Sequence, residues 1–195
     1  MVIIAALGIE IAPLLNALKA DKVEAYSNKT ALYRSGDTDL LVTGVGPIMA
    51  QRTLNTYLED HSPDFMLNIG TAGMLFENME PGKVHHISET LTENEAAITL
   101  HVLSDEKGKI CLSVRRSIED SKKRELSRDK HNAGLADMEC YTLAAIAKEK
   151  NIPMSAIKVT TDFADCETAD MFKKHVEESA KKLADEVINI INYRR

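Results

Sequence analysis

The sequence predicts an α/β fold, specifically a single-domain three-layer sandwich in which a mixed, mainly parallel sheet is flanked by helices. Short apolar runs alternate along the chain with segments whose apolar residues recur every three or four positions. This alternation is typical of strands and helices that follow one another, an order that produces a sheet covered on both faces. A length of 195 residues is that of one domain, so residues 1–195 are assigned to a single unit.

The N-terminal part begins with an apolar run followed by an amphipathic segment. Val2–Leu7 predicts a buried strand, and Ile9–Ala20, which has its leucines on one side, predicts a helix. Further on, the turn Gly44-Val-Gly-Pro47 leads into a helix at Met49–Asp60. Between these helices the pattern predicts two or three short strands, at Val23–Tyr26, Ala31–Arg34 and Leu40–Thr43.

The remainder of the chain continues the alternation. Phe65–Ile69 predicts a buried strand broken by the segment Gly70-Thr-Ala-Gly73, and Met154–Thr161 predicts another. Thr168–Asn192 carries an apolar stripe at three-to-four spacing, which predicts a long helix that faces the core. The other strands are predicted at Lys83–Ile87, Ala97–Leu103 and Lys109–Val114, and the other helices at Ile118–Lys130 and Ala136–Lys150.

The composition favours a globular, cytoplasmic protein. Hydrophobic residues make up 44% of the chain, and the net charge of −6 argues against nucleic acid or an anionic membrane as a partner. No apolar stretch approaches the roughly 20 residues that span a bilayer, and the first residues lack the basic region of a signal peptide. The three cysteines have no metal-ligand spacing, so free thiols in a reducing compartment and no metal site are expected.

Two carboxylates stand out because of where the pattern places them. In the predicted helix from Ala136, Glu139 shares a face with Leu143 and Ile146, so it is either a buried, satisfied group or a ligand contact. The helix dipole favours an ionised carboxylate in the first turn, which predicts that Glu139 accepts hydrogen bonds. Asp162 follows the strand Met154–Thr161, and ligands of parallel sheets bind at the carboxyl ends of strands.

Two glycine-containing turns follow apolar strands. They are Thr43-Gly-Val-Gly46 and Asn68-Ile-Gly-Thr-Ala-Gly73. Glycine allows backbone N–H groups to approach a ligand, although it also serves as a simple turn residue, and both interpretations remain open for each turn alone. Neither turn matches the dinucleotide or Walker A pattern, so those cofactors are not indicated.

Taken together, the motifs resemble those of the nucleoside phosphorylase/nucleosidase superfamily over nearly the whole chain. The similarity is greatest to its hydrolytic branch, the 5′-methylthioadenosine/S-adenosylhomocysteine nucleosidases and futalosine hydrolases. The motifs occur in the order of the family, as Ala5-Ala-Leu-Gly-Ile-Glu10, Thr43-Gly-Val-Gly-Pro47, Asn68-Ile-Gly-Thr-Ala-Gly73, Asp137-Met-Glu139 and Thr161-Asp-Phe-Ala-Asp165. Five motifs in this order are specific to the superfamily and much less specific to a substrate.

The resemblance implies a nucleoside phosphorylase-like fold and a division of roles for hydrolysis of an N-glycosidic bond without a metal or organic cofactor. Asp162 would be the general acid at N7 of a purine, Glu139 would accept hydrogen bonds from the ribose hydroxyls, and Met138 would pack against the sugar. Thr71 would lie near the attacking water. The other substrate-binding residues implied are Ala72, Gly73, Gly46 and Ile118.

The chain departs from the family pattern at several positions. The hydrolases orient water with an N-terminal glutamate, and alignment of the neighbouring leucines puts Ile11 there, with Glu10 one residue away. Phosphorylases commonly carry an arginine for phosphate where this chain has Asn68, which favours water as the nucleophile. Ser117 stands where the hydrolases usually have an aromatic residue that stacks on the base. The segment between Gly73 and the strand at Lys109–Val114 is also shorter than usual.

The resemblance therefore implies a nucleosidase that hydrolyses a purine nucleoside modified at its 5′ position, and two alternatives stay open. A phosphorylase of the same fold would need a cationic phosphate site, for which Arg34, Arg52, Arg115 and Arg116 are the candidates. A nucleoside-binding protein without catalysis would keep the crevice but lack the water-activating glutamate. Because members of the family are usually oligomeric, at least a homodimer is expected.

Overall fold

The computed structural model describes residues 1–105 and 107–193. Within these residues the chain forms ten strands and five helices. The strands are β1 (Val2–Ala5), β2 (Asp21–Ala25), β3 (Ala31–Ser35), β4 (Thr38–Val42), β5 (Met66–Met74), β6 (Val84–Leu91), β7 (Ile98–Thr99), β8 (Lys109–Ser113), β9 (Leu135–Asp137) and β10 (Met154–Asp162). The helices are α1 (Gly8–Leu18), α2 (Pro47–Asp60), α3 (Ser121–His131), α4 (Cys140–Glu149) and α5 (Thr168–Tyr193).

The strands form one sheet, part of which closes into a ring. Strands β2, β3, β4, β1 and β5 lie side by side in that order, and β5, β10, β6, β8 and β9 form a closed five-stranded ring. The α/β class and the mixed sheet with flanking helices are confirmed. The expectation of a mainly parallel sandwich is wrong, because five of the ten described strand pairings are antiparallel. Apolar periodicity identifies a strand but not the direction of its neighbours.

The core lies on both faces of the sheet, and β1 shows how it is divided. Val2 and Ile4 belong to an apolar cluster shared with α2 and α4, whereas Ile3 and Ala5 belong to a cluster shared with α1 and α5. This alternation follows from the two-residue repeat of a strand, and it explains why Val2–Ala5 is apolar at every position. None of the five helices of the described residues combines the length and apolar content needed to cross a membrane.

The structure changes two predicted boundaries that matter for function. The first residues of the predicted helix Ala136–Lys150 instead extend strand β9, and α4 begins only at Cys140. Similarly, the predicted helix Ile118–Lys130 begins at Ser121, because Asp120 caps it by accepting a hydrogen bond from the amide of Lys123 at 2.8 Å.

The predicted break at Gly70-Thr-Ala-Gly73 is also absent, because β5 runs through this segment to Met74. Its glycines make room for side chains from neighbouring elements. A Cβ on Gly70 would lie 3.2 Å from Oε1 of Glu10, and one on Gly73 would lie 3.0 Å from Oδ1 of Asp162. The glycines therefore mark close approaches of two carboxylates rather than a turn.

Candidate active site

A pocket of about 400 Å³ lies where β5, β9 and β10 end. Strand register brings the three together, since Gly73 of β5 pairs with Asp162 of β10 on one side and with Ala136 of β9 on the other. The sequence-predicted residues that line this pocket are Glu10, Thr71, Ala72, Gly73, Ile118, Met138, Glu139 and Asp162. The structure thus brings together predicted residues from four of the five motifs, and Ile118 as well.

Gly46 is the one predicted residue outside the pocket lining, yet it contacts the site. Its backbone N–H donates to Oε1 of Glu139 at 2.5 Å. Gly46 has a φ of 92°, a conformation that favours glycine, and it immediately precedes Pro47 at the start of α2. The glycine therefore turns the chain so that its amide points at the carboxylate.

Asp162 is buried and fixed by neighbours from its own turn and from α5. Its Oδ1 accepts hydrogen bonds from the amide of Ala164 at 3.0 Å and the hydroxyl of Thr168 at 3.2 Å, and its Oδ2 accepts from the hydroxyl of Thr161 at 2.8 Å. A register shift in β10 between Thr160 and Asp162 turns this carboxyl toward the pocket. The side chain is held in one orientation at the pocket wall.

Glu139 is the residue immediately before α4 and is almost fully buried. Burial, together with the nearby charge of Asp137, raises the pKa of its carboxyl from 4.5 to about 7, although Lys158 and the Gly46 amide oppose the shift. The prediction that Glu139 accepts a hydrogen bond is confirmed. The raised pKa is opposite in direction to the shift that the helix dipole predicts, and its largest cause is the loss of hydration on burial.

Glu10 lies in the pocket, whereas Ile11 is in the core. The Glu10 carboxylate accepts three hydrogen bonds, from the amide of Leu7 at 2.9 Å and from the amide and hydroxyl of Thr71 at 2.8 and 2.7 Å. Ile11 packs in the cluster beneath α1 and α5 and has no exposed surface. Glu10 therefore faces the pocket, and the water-orienting position of the family falls on it if the alignment is shifted by one residue.

A buried ion pair below the pocket was missed by the sequence analysis. Nζ of Lys158 lies 2.7 Å from Oδ2 of Asp137, and both side chains are almost completely buried within the five-stranded ring. Ser113 donates to Oδ1 of Asp137 at 2.6 Å, and the Cys140 amide donates to Oδ2 at 3.0 Å. Burial alone would lower the pKa of Lys158, but the interactions with Asp137 and with the neighbouring Cys140, Cys111 and Glu139 together outweigh burial and raise it. One signal was available, since Lys158 is the only charged residue before Asp162 in an otherwise uncharged strand.

The remaining candidates of the sequence analysis lie away from the pocket. Arg34 pairs with Asp39 at 2.6 Å, and Arg52, Arg115 and Arg116 are exposed and do not line the site. Asn68 is buried under β1, donating to the carbonyl of Ile4 at 3.2 Å. Across residues 1–105 and 107–193 no three His, Cys, Asp or Glu side chains are grouped so that they could hold a metal ion.

The pocket also has residues that sequence patterns did not single out. Phe172 and Lys173 of α5 line its mouth, beside Ser117 and Glu119. Five carboxylates contribute to its wall, and among the described lining residues Lys173 is the only lysine or arginine. A larger groove of about 700 Å³ beside β7 and α4 contains no carboxylate, so the acidic pocket is the better candidate for chemistry.

Comparisons with known proteins find similarity to one superfamily. The model of the phosphorylase superfamily matches residues 106–192. The 5′-methylthioadenosine/S-adenosylhomocysteine nucleosidase of Buchnera aphidicola subsp. Baizongia pistaciae is 27% identical over 97% of this chain and 88% of that protein. The resemblance to the nucleoside phosphorylase/nucleosidase superfamily is confirmed.

Solved structures of the superfamily share the fold of this chain. A Helicobacter pylori 5′-methylthioadenosine/S-adenosylhomocysteine nucleosidase mutant, with 5′-methylthioadenosine in its active site, superposes with a TM-score of 0.88 at 15% identity, covering 98% of this chain and 97% of that one. Futalosine hydrolase of Helicobacter pylori superposes with a TM-score of 0.88 at 16% identity, again covering 98% of this chain and 97% of that one. At these identities the likeness establishes the fold, while the chemistry depends on the side chains above.

Proposed function

We propose that the protein is a nucleosidase that hydrolyses the N-ribosyl bond of a purine nucleoside modified at its 5′ position. The observation that carries the proposal is the convergence of Glu10, Glu139 and Asp162 on one largely buried pocket. The Buchnera relative supports the class of reaction through its name, and the two Helicobacter enzymes support it through their fold. The three carboxylates match the three requirements of this hydrolysis.

The first requirement is departure of the base. Asp162 gives its proton to N7 of the purine as the bond between C1′ and N9 breaks, and the electron pair of that bond leaves with the base. The hydrogen bonds from Ala164 and Thr168 to Oδ1 hold the carboxyl in position. The side chain therefore does not have to reorient before it transfers its proton.

The second requirement is stabilisation of the sugar, which acquires the character of an oxocarbenium ion. Ionised Glu139 accepts hydrogen bonds from the ribose hydroxyls through the oxygen that Gly46 leaves unoccupied. Met138, beside it on the pocket wall, packs against the ring. Binding of a nucleoside thus favours the ionised form of a group whose pKa is about 7 in the free protein.

The third requirement is a nucleophile at C1′. Glu10 accepts one proton of the attacking water, so that ribose gains the hydroxyl group and the free base is released. The hydroxyl of Thr71 fixes the carboxylate from the side of β5. Phosphate is disfavoured as the nucleophile because five carboxylates and only one cationic side chain, Lys173 at the mouth, line the described pocket. These contacts support hydrolysis over phosphorolysis and over binding alone.

The experiment that tests this function is an assay of base release from adenosine, inosine, 5′-methylthioadenosine, S-adenosylhomocysteine and futalosine, with and without phosphate. Release without phosphate is expected, and the preferred substrate identifies the 5′ group. Release that depends strictly on phosphate would move the protein to the phosphorylases. No release, together with a nucleoside that raises the melting temperature, would identify a binding protein.

A homodimer in the cytoplasm is part of the same proposal. Ile9, Val45 and Ile48 are exposed apolar side chains, and Val45 also lines the pocket, so a second subunit on this face would complete the site. The three cysteines are free, which fits a reducing compartment. Light scattering of the purified protein measures the oligomeric state, and a monomer at micromolar concentration would contradict the dimer.

A further inference from the structure

Arg124 is a buried cation on a helix that is otherwise largely solvated. It lies in α3, whose buried residues are Arg124 and Ser127, and its side chain is 6% exposed. A buried guanidinium is unfavourable unless it is paired and hydrogen-bonded, so its partners indicate what it holds.

Those partners come from two loops at the pocket. Nη2 donates to Oε1 of Glu77, just after β5, at 2.9 Å. Nη1 donates to the carbonyl oxygen of Phe163 at 3.4 Å and lies 3.7 Å from Oδ2 of Asp165, both in the turn after β10. Nε is buried and has no hydrogen-bond partner among the described residues. The guanidinium therefore connects α3 to the segments that follow β5 and β10, two of the three strands that end at the pocket.

The contact with Phe163 reaches the proposed acid through a single peptide group. The carbonyl of this peptide accepts from Arg124, and its N–H, on Ala164, donates to Oδ1 of Asp162 at 3.0 Å. A cation on the carbonyl polarises an amide and strengthens the donation by its N–H. Ala164 has a φ of 49°, a conformation that alanine rarely adopts, so the turn needs an external restraint.

We infer that Arg124 is a positioning residue, which holds the Phe163–Ala164 peptide so that its N–H fixes the carboxyl of Asp162 for proton transfer. Arg124 acts through that peptide and does not line the pocket. The kinetic part of this inference rests on the proposed function, whereas the restraint on the Ala164 amide does not depend on it.

The test compares two arginines of the same helix. Arg124→Met keeps the apolar part of the side chain and removes the guanidinium. Arg128→Met removes an ion pair with Asp129 at the surface. Hydrogen exchange of the Ala164 amide is expected to be about tenfold faster in Arg124→Met and unchanged in Arg128→Met. The value of kcat is expected to fall roughly 10- to 100-fold in Arg124→Met with KM changed less than about threefold, because the acid is misplaced while the sugar contacts remain.

Two further variants exclude a general effect on folding. Arg124→Lys keeps the charge and folds even where the methionine variant fails, and it is expected to give intermediate exchange and intermediate kcat. Glu77→Gln removes one of the charge partners of Arg124 but leaves the contact with Phe163, and it is expected to match the wild-type protein in both measurements.

Unchanged exchange of the Ala164 amide in both Arg124 variants would overturn the inference, whatever the activity of the protein. Unchanged kcat in an active protein would overturn it as well, and so would an equal loss in Glu77→Gln. If the wild-type protein releases no base from any nucleoside, the proposed function fails, and the exchange measurement alone decides the role of Arg124.

Discussion

Glu10 and Thr71 are joined by two short hydrogen bonds across more than sixty residues of sequence. Oε1 of Glu10 accepts from both the amide and the hydroxyl of Thr71, at 2.8 and 2.7 Å. Gly70 makes this possible, because a Cβ there would lie 3.2 Å from the same oxygen. A helix residue is thereby fixed onto β5 at the floor of the pocket.

Removal of the Thr71 hydroxyl should reduce turnover without changing the fold. Thr71→Val loses one donor to Glu10 but keeps the amide contact and the shape, so we expect kcat to fall about tenfold. Thr71→Ser retains the hydroxyl and is expected to stay within about threefold of the wild-type rate. Steady-state kinetics on the preferred nucleoside make the comparison. Equal rates for the serine and valine variants would show that this hydroxyl does not position the nucleophile.

Asp162→Asn tests the general acid. The amide oxygen still accepts from Ala164 and Thr168, so the melting temperature should change little, but no proton can be delivered to the base. We expect kcat to fall at least about 100-fold, the usual effect of removing a general acid. Asp170→Asn, an exposed change in the first turn of α5, serves as the control and should leave the rate unchanged. Full turnover by Asp162→Asn would reject the assignment.

Glu139 should make the ligand-free protein less stable as the pH rises from about 5 to about 8. Its pKa is raised from 4.5 to about 7 by burial, so the folded state binds a proton that the unfolded state has lost over this interval. The contribution of Glu139 to the free energy of unfolding is therefore largest below about pH 4.5. It is lost as the pH rises through 7, and the loss is at most about 3 kcal/mol.

Urea unfolding of the wild-type protein and of Glu139→Gln checks this effect. The variant cannot ionise, so it should be the more stable protein at pH 8, with a smaller difference at pH 5. Nucleoside binding requires the ionised form, so KM of the wild-type protein should rise below about pH 7. A stability difference that does not depend on pH would mean that Glu139 is already ionised in the free protein at pH 5.

Gly73→Ala should damage the site through steric contact alone. The added methyl group would lie 3.0 Å from Oδ1 of Asp162 and 3.1 Å from Cβ of Ala164, so the acid must shift. A displacement of this kind can reduce the rate by roughly 100-fold. Gly8→Ala is the matched control, because its Cβ would meet nothing within 4 Å. Wild-type kinetics in Gly73→Ala would show that the position of Asp162 is not critical.

Removing one partner of the Lys158–Asp137 ion pair should destabilise the protein far more than removing both partners together. Asp137→Asn leaves a buried ammonium group without its counter-charge, and the cost is expected to be about 3–5 kcal/mol. Lys158→Met leaves a buried carboxylate, with a similar cost. The double variant should be less destabilised than the sum of the two, as measured by denaturant unfolding in a double-mutant cycle. Additive losses would show that the two side chains do not stabilise each other.

Local pattern was sufficient for most of the elements and for the choice of site residues. Strand β1 is apolar at every position because both of its faces are buried, and α5 shows its core stripe directly in the sequence. The order of five short motifs was enough to select Asp162, Glu139 and Thr71, which the structure brings to one pocket. Their roles remain predictions until the variants above are measured.

Tertiary structure decided what depends on contacts between distant residues. Whether Glu10 or Ile11 faces the pocket is set by the rotation of α1 on β5, and one residue of rotation is beyond the precision of a motif alignment. The closed ring and the burial of Lys158 against Asp137 follow from strand directions that apolar periodicity does not encode. The sequence by itself determined which side chains are present and which segments are buried, whereas the pKa of Glu139 was raised only when folding buried its carboxyl.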